Sequence, residues 1–275
     1  MMADLWAMAR LEFVAAARLK WIRLLAAAFA LLAGAAAYSA GAANDVSGAD
    51  GFARTTMALV PVVLVLVPLA SLVLGVTGQT PEAGGEPFLF SQPVSRATVV
   101  LGRWLGESAA LAGAIGAGLG IGGLLVVSGS GVDGLPQFVF FIGMAILLAI
   151  IFLSIAAAVS TASGTRIVAL GAATFAWVFF VLVYDGAALS LAGWITGPIG
   201  GRLLFVSVFG NPADLIRVVT LTTAGTPAVL GAAGDSWIRF LGGPTGAWLA
   251  AAAAVTAWML APIATAIALM NRRDL

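Results

Sequence analysis

The residues able to do chemistry in this chain are few. They are charges set among apolar residues rather than nucleophiles or metal ligands. The 275-residue sequence has no cysteine and no histidine. That excludes disulfides, thiol nucleophiles, Cys/His metal centres and any Ser-His-Asp triad. The sole lysine, Lys20, does not sit in a Gly-x4-Gly-Lys-Ser/Thr loop, so the chain is not expected to be its own ATPase. Two carboxylates, Glu107 and Asp185, fall inside apolar runs. Ionisable groups at membrane depth are costly, which makes both transport-pathway candidates. Glu107 also has a structural reading, because Arg103 stands one turn earlier at the i,i+4 spacing of a helical ion pair.

Two further segments carry distinctive polar patterns. The first runs from Pro81 to Arg103. A turn containing Glu82 and Gly84 leads to an apolar patch, Phe88, Leu89 and Phe90. Ser91 and Pro93 then break the chain, and Ser95 can cap the helix that follows. A short apolar element between turns suits docking in another protein's groove, or a plain helix–turn–helix connection. The second segment is Asn211-Pro212-Ala213-Asp214-Leu215-Ile216-Arg217. Asn211 is a good N-cap, Pro212 fits the first helical position, and Asp214 favours the positive end of the helix dipole.

The elements that position these residues are membrane spans. Apolar residues make up 61% of the chain and charged residues 9%, and mean hydropathy is +1.09. A soluble domain carries about 25% charged residues. Six runs reach the length of about 20 residues that crosses a bilayer: 21–40, 56–76, 106–127, 136–159, 167–190 and 245–270. The expected class is therefore all-α, a polytopic membrane protein with six spans. Residues 1–20 precede them as an interfacial unit, with an amphipathic helix over 3–20. Leu5, Met8, Leu11 and Ala15 recur there at helical spacing, and Trp6 and Trp21 suit the headgroup zone. The start of the chain does not read as a cleavable signal. Residues 21–275 form the six-span membrane domain, with a loop at 77–103 and an external region at 191–244 that is apolar enough to dip into the membrane.

Even spans place both termini on one side. Arg10, Arg18, Lys20, Arg23, Arg96, Arg103, Arg166, Arg272 and Arg273 share that side, against Arg54, Arg202, Arg217 and Arg239 on the other. The positive-inside rule makes the termini cytoplasmic. The third run contains Gly118-x-Gly120-x-x-Gly123, the spelling of a dinucleotide fingerprint. It lacks the strand which that site requires. The pairs Gly102/Gly106, Gly116/Gly120 and Gly118/Gly122 read instead as notches for close helix packing. A net charge of +1 gives no electrostatic case for nucleic acid.

The Pro81–Arg103 segment resembles the coupling region of the ABC-2-type permeases. The matching positions are Glu82, Gly84, Phe88, Leu89, Phe90, Ser91, Pro93, Val94, Ser95, Arg96, Leu101, Gly102 and Arg103. Gly85 and Glu86 depart from that pattern, which usually has Thr-Leu there. The Asn211–Arg217 run and Val183-Tyr184-Asp185 resemble the branch of that family serving nitrous oxide reductase maturation. The resemblance implies a homodimeric, non-catalytic membrane subunit in the inner membrane. It implies that Glu82, Gly84, Phe88, Leu89, Phe90, Ser91, Pro93, Arg96 and Arg103 face a cytoplasmic ABC ATPase. ATP and magnesium would be bound by that ATPase, with no cofactor on this chain. Asn211, Pro212, Asp214 and Arg217 become candidates for contact with an external partner, a periplasmic copper-handling protein. Export of a lipid, peptide or drug by the same machinery is an alternative, as is a proton-coupled secondary carrier using Glu107 and Asp185.

Overall fold

The computed structural model describes residues 2–41, 48–79, 95–195, 198–223 and 237–272. Its elements are α1 (Met2–Arg18), α2 (Lys20–Gly41), α3 (Gly48–Gln79), α4 (Arg96–Ser130) and α5 (Leu135–Ala162). They continue with α6 (Arg166–Val178), a π-helical turn (Phe179–Val183), α7 (Tyr184–Trp194), α8 (Pro198–Gly210), α9 (Pro212–Thr223) and α10 (Pro244–Arg272). No strand occurs among the described residues. Six spans are long and apolar enough to cross a bilayer: α2, α3, α4, α5, the α6–α7 unit and α10. The expected six-span, all-helical class is the observed one. The helices overrun the apolar runs at their polar ends; the third begins at Arg96 rather than near residue 106.

The centre of the bundle is α5. It is apolar on every side, as a helix surrounded by others must be, and Phe152, Leu153, Ala156 and Ala157 are fully buried. Helices α3, α4 and α10 pack around it. Helix α3 continues through Pro61 and Pro68 without a break. Close by, Trp177 of α6 donates its indole N–H to the Val65 carbonyl at 3.0 Å. Hydroxyls within the spans bond back to carbonyls one turn earlier, as Thr55, Ser71, Ser160 and Thr161 do, so they need no water. The α6–α7 unit and α10 lie at the periphery, with large apolar side chains such as Phe175, Leu182 and Leu249 exposed.

Helix α1 lies along α4, but on a different face from the one its spacing indicates. Leu11 and Ala15 point outward, while Ala9 and Ala16 are buried and Leu5, Met8 and Glu12 are half-buried. The glycines of α4 select that face. A Cβ at Gly102 would stand 2.6 Å from Met8 Cγ, and one at Gly106 would stand 2.5 Å from the Ala9 carbonyl oxygen. Close backbone approach therefore favours the small residues of α1 over its larger apolar ones. Trp6 and Trp21 are exposed.

The second glycine pair behaves alike. A Cβ at Gly118 would meet both the Ala26 carbonyl oxygen and Phe29 Cβ of α2 at 2.7 Å, and Gly122 abuts Ala33. Gly116 and Gly120 meet nothing within 4 Å, so the packing expected of that pair is not made within the described chain. Gly118, Gly120 and Gly123 all lie inside α4, and the phosphate-binding reading of their spacing has no structural footing. Gly118→Ala should therefore destabilise the purified chain by about 1–3 kcal/mol, the usual cost of overpacking. Gly116→Ala, which meets open space inside the helix, should stabilise it by about 0.5–1 kcal/mol. Thermal unfolding in detergent compares the two.

Candidate functional site

Two polar nodes interrupt the apolar bundle. The first lies at the end that carries α1 and the C-terminal end of α10. Glu82, Gly84, Phe88, Leu89, Phe90, Ser91 and Pro93 fall outside the described residues, but both flanks of that segment are described. Ser95 caps α4 as its residue type foretells, its hydroxyl accepting from the Thr98 N–H at 3.2 Å. Arg96 donates to the Met270 carbonyl at 2.9 Å, which places a cation at the carbonyl end of α10.

Arg103 binds both flanks together. Its Nη1 donates to the carbonyl of Gln79, the last residue of α3, at 3.2 Å. Its Nε lies 3.3 Å from Glu12 Oε1 of α1. One buried guanidinium thus ties α1, the end of α3 and the start of α4. The expected Arg103–Glu107 pair is not formed, because the arginine is already committed to Glu12 and Gln79. Glu107 is 2% exposed, and neither of its oxygens has a hydrogen-bond partner. Its carboxyl group rests against Gly78 of α3, where any side chain would collide with it, and beside Gly75. Nε2 of Gln79 is likewise buried without a partner.

The second node is built by α8 and α9, two short apolar helices that meet at a 103° bend at Asn211 to make a helical hairpin. The tip of this hairpin reaches deep. Trp258, midway along α10, donates to the Phe209 carbonyl at 2.9 Å. Asn211 Oδ1 accepts from the Ala213 N–H at 3.0 Å, the capping role its residue type indicates. Its Nδ2 donates to the Phe180 carbonyl at 2.8 Å, on the π-helical turn of the fifth span. The wider π turn disturbs the usual carbonyl ladder, and a side chain takes the freed acceptor. Tyr184 donates its hydroxyl to the Ser207 carbonyl at 2.8 Å. Arg217 Nη1 reaches Asp185 Oδ2 at 3.1 Å, and its Nη2 pairs with Asp214.

The model of the ABC-2 family transporter protein matches residues 6–275. This chain belongs to that family. It is also 32% identical to the probable ABC transporter permease protein NosY of Pseudomonas aeruginosa, over 284 residues and the full length of both chains. The protein of the same name from Stutzerimonas stutzeri is 29% identical over 228 residues, 80% of this chain and 82% of its own. The chain is thus a NosY-like ABC-2 permease, a non-catalytic membrane subunit by family.

In this permease the two sequence segments set apart by reading, 183–185 and 211–217, meet in one cluster. Asp185 and Arg217 are its half-exposed members. Asn211, Pro212 and Asp214 are buried, so their bonds are spent inside the chain, and the outward-facing role read for that run narrows to Arg217. No group of His, Cys, Asp and Glu among the described residues could hold a metal ion. The nodes offer charge pairing rather than covalent chemistry. Sequence reading missed Glu12 and Gln79. The available signal for Glu12 was an acidic residue on the same helical face as Ala9 and Ala16. Asn211→Ala should cost about 1–2 kcal/mol through the lost cap alone. Asn211→Asp keeps the cap but sets a buried carboxylate against the Phe180 carbonyl and the Asp185 carboxylate, and should cost more. Thermal unfolding of the three chains ranks them.

Proposed function

We propose that this NosY-like permease converts ATP hydrolysis by a separate cytoplasmic subunit into a conformational change across the membrane, in the service of nitrous oxide reductase copper-site maturation. The observation that carries this reading is Arg103. It bridges the two flanks of the 80–94 segment and ties both to α1. A push on that segment then reaches three helices through one side chain. Arg96 carries it to a fourth by way of the Met270 carbonyl.

The termini and α1 lie on the cytoplasmic face, and the α8–α9 hairpin enters from the periplasmic face. A NosF-like ATPase docks at Glu82, Gly84, Phe88, Leu89, Phe90, Ser91 and Pro93, and supplies the ATP and magnesium sites. The permease works as two copies of itself in the inner membrane. Its outer surface, Arg217 included, meets a NosD-like copper-handling protein. The likeness to two NosY permeases, one of them over its full length, supports this assignment over an exporter of lipids, peptides or drugs.

The test is purification of the tagged permease from its native membrane, with mass spectrometry of what accompanies it. An ABC ATPase and a periplasmic copper-handling protein should co-purify. Arg103→Gln should retain the ATPase yet lower copper loading of nitrous oxide reductase. A stable preparation without any ATPase would overturn the proposal.

A further inference from the structure

The node around Arg103 is under-satisfied. Glu107 presents two buried oxygens without donors, while Arg103 Nε and Gln79 Nε2 are buried N–H groups without an aligned acceptor. The Arg103–Glu12 contact at 3.3 Å is an ion pair that makes no directed hydrogen bond. Buried groups left unmet in this way are costly, and each such group calls for an explanation. Here donors and acceptors lie within one node, so a small rearrangement would satisfy both. Glu107 is one helical turn from Arg103 on the same helix, within reach of its side chain.

We infer that Arg103 is a two-position switch. It holds Glu12 of α1 in the conformation described here, and transfers to Glu107 when α1 is displaced along α4. The helix contact suits such sliding. Gly102 and Gly106 put no side chain of their own into that contact, where a Cβ would stand 2.6 Å from Met8 Cγ and 2.5 Å from the Ala9 carbonyl oxygen. Gly78 leaves the space in which the Glu107 carboxyl rests until Arg103 arrives. The exchange retains one ion pair in each state, so neither state leaves the arginine buried alone. What drives the displacement rests on the ATPase-coupling reading above; the exchange itself does not.

The chain has no cysteine, so two introduced ones are unique. Nitroxide labels at Arg10→Cys on α1 and Leu105→Cys on α4 report the separation of the helices by pulsed electron paramagnetic resonance. Both positions are exposed. Labelled chain is diluted with unlabelled chain so that distances within one protomer are read. In the isolated permease, Glu12→Gln should move the population to a second distance without any nucleotide. With the ATPase bound, ATP should produce that second distance in the otherwise unaltered chain and fail to do so in Glu107→Gln. A Glu12→Gln chain that stays at the first distance, or a Glu107→Gln chain that follows the unaltered one, overturns the switch. If ATP moves nothing even in the unaltered complex, the coupling reading fails, while the Glu12→Gln measurement on the isolated chain still decides the exchange.

Discussion

A guanidinium buried in a membrane bundle must be met by acceptors, because no water is present to replace them. Arg103 meets part of this demand with groups from two other helices: the Gln79 carbonyl of α3, which accepts a hydrogen bond, and a carboxylate of α1, which pairs with its charge. The rest of the terminal end is arranged around that need. Gly102 and Gly106 bring α1 close enough for Glu12 to reach, and the Gln79 carbonyl of α3 faces the arginine. A cation at that carbonyl end is also favoured by the helix dipole.

The hairpin node obeys the same constraint with different means. A bend of 103° deep in the bundle interrupts the helical ladder of α8 and α9. Asn211, Trp258 and Tyr184 each close one exposed backbone group there. A single asparagine bonds both the π turn of the fifth span and the hairpin tip, and so joins the two irregularities. Asp185, Asp214 and Arg217 then balance charge across the same contact. The tightly packed α5 touches α3 and α4 of the first node and α9 and α10 of the second. Motion at one end can pass to the other through rigid helices rather than through a soft core.

The spans were legible because bilayer thickness demands long apolar runs, and nothing else in a 61% hydrophobic chain competes with that signal. Their ends were less so. Ten residues of α4, from Arg96 to Leu105, are helical but carry the charges of the node, so hydropathy alone places the start too late. The capping roles of Ser95 and Asn211 were readable from residue type, because a cap is local. The partner of Arg103 was not. Helical spacing nominates Glu107, and only the packing of α1 on glycines brings Glu12 into place. The π turn also leaves no trace in periodicity, since its five residues, Phe179 to Val183, are uniformly apolar.

The central claim is that force enters this permease between α3 and α4. The most direct measurement is site-specific cross-linking from that segment in native membranes, using the absence of other cysteines. A photoactivatable probe on Phe88→Cys should give an adduct with an ABC ATPase. The same probe on Val132→Cys, exposed between α4 and α5 at the opposite end, should give none. No adduct at residue 88 with the ATPase present in the preparation, or equal adducts at both positions, would contradict the account.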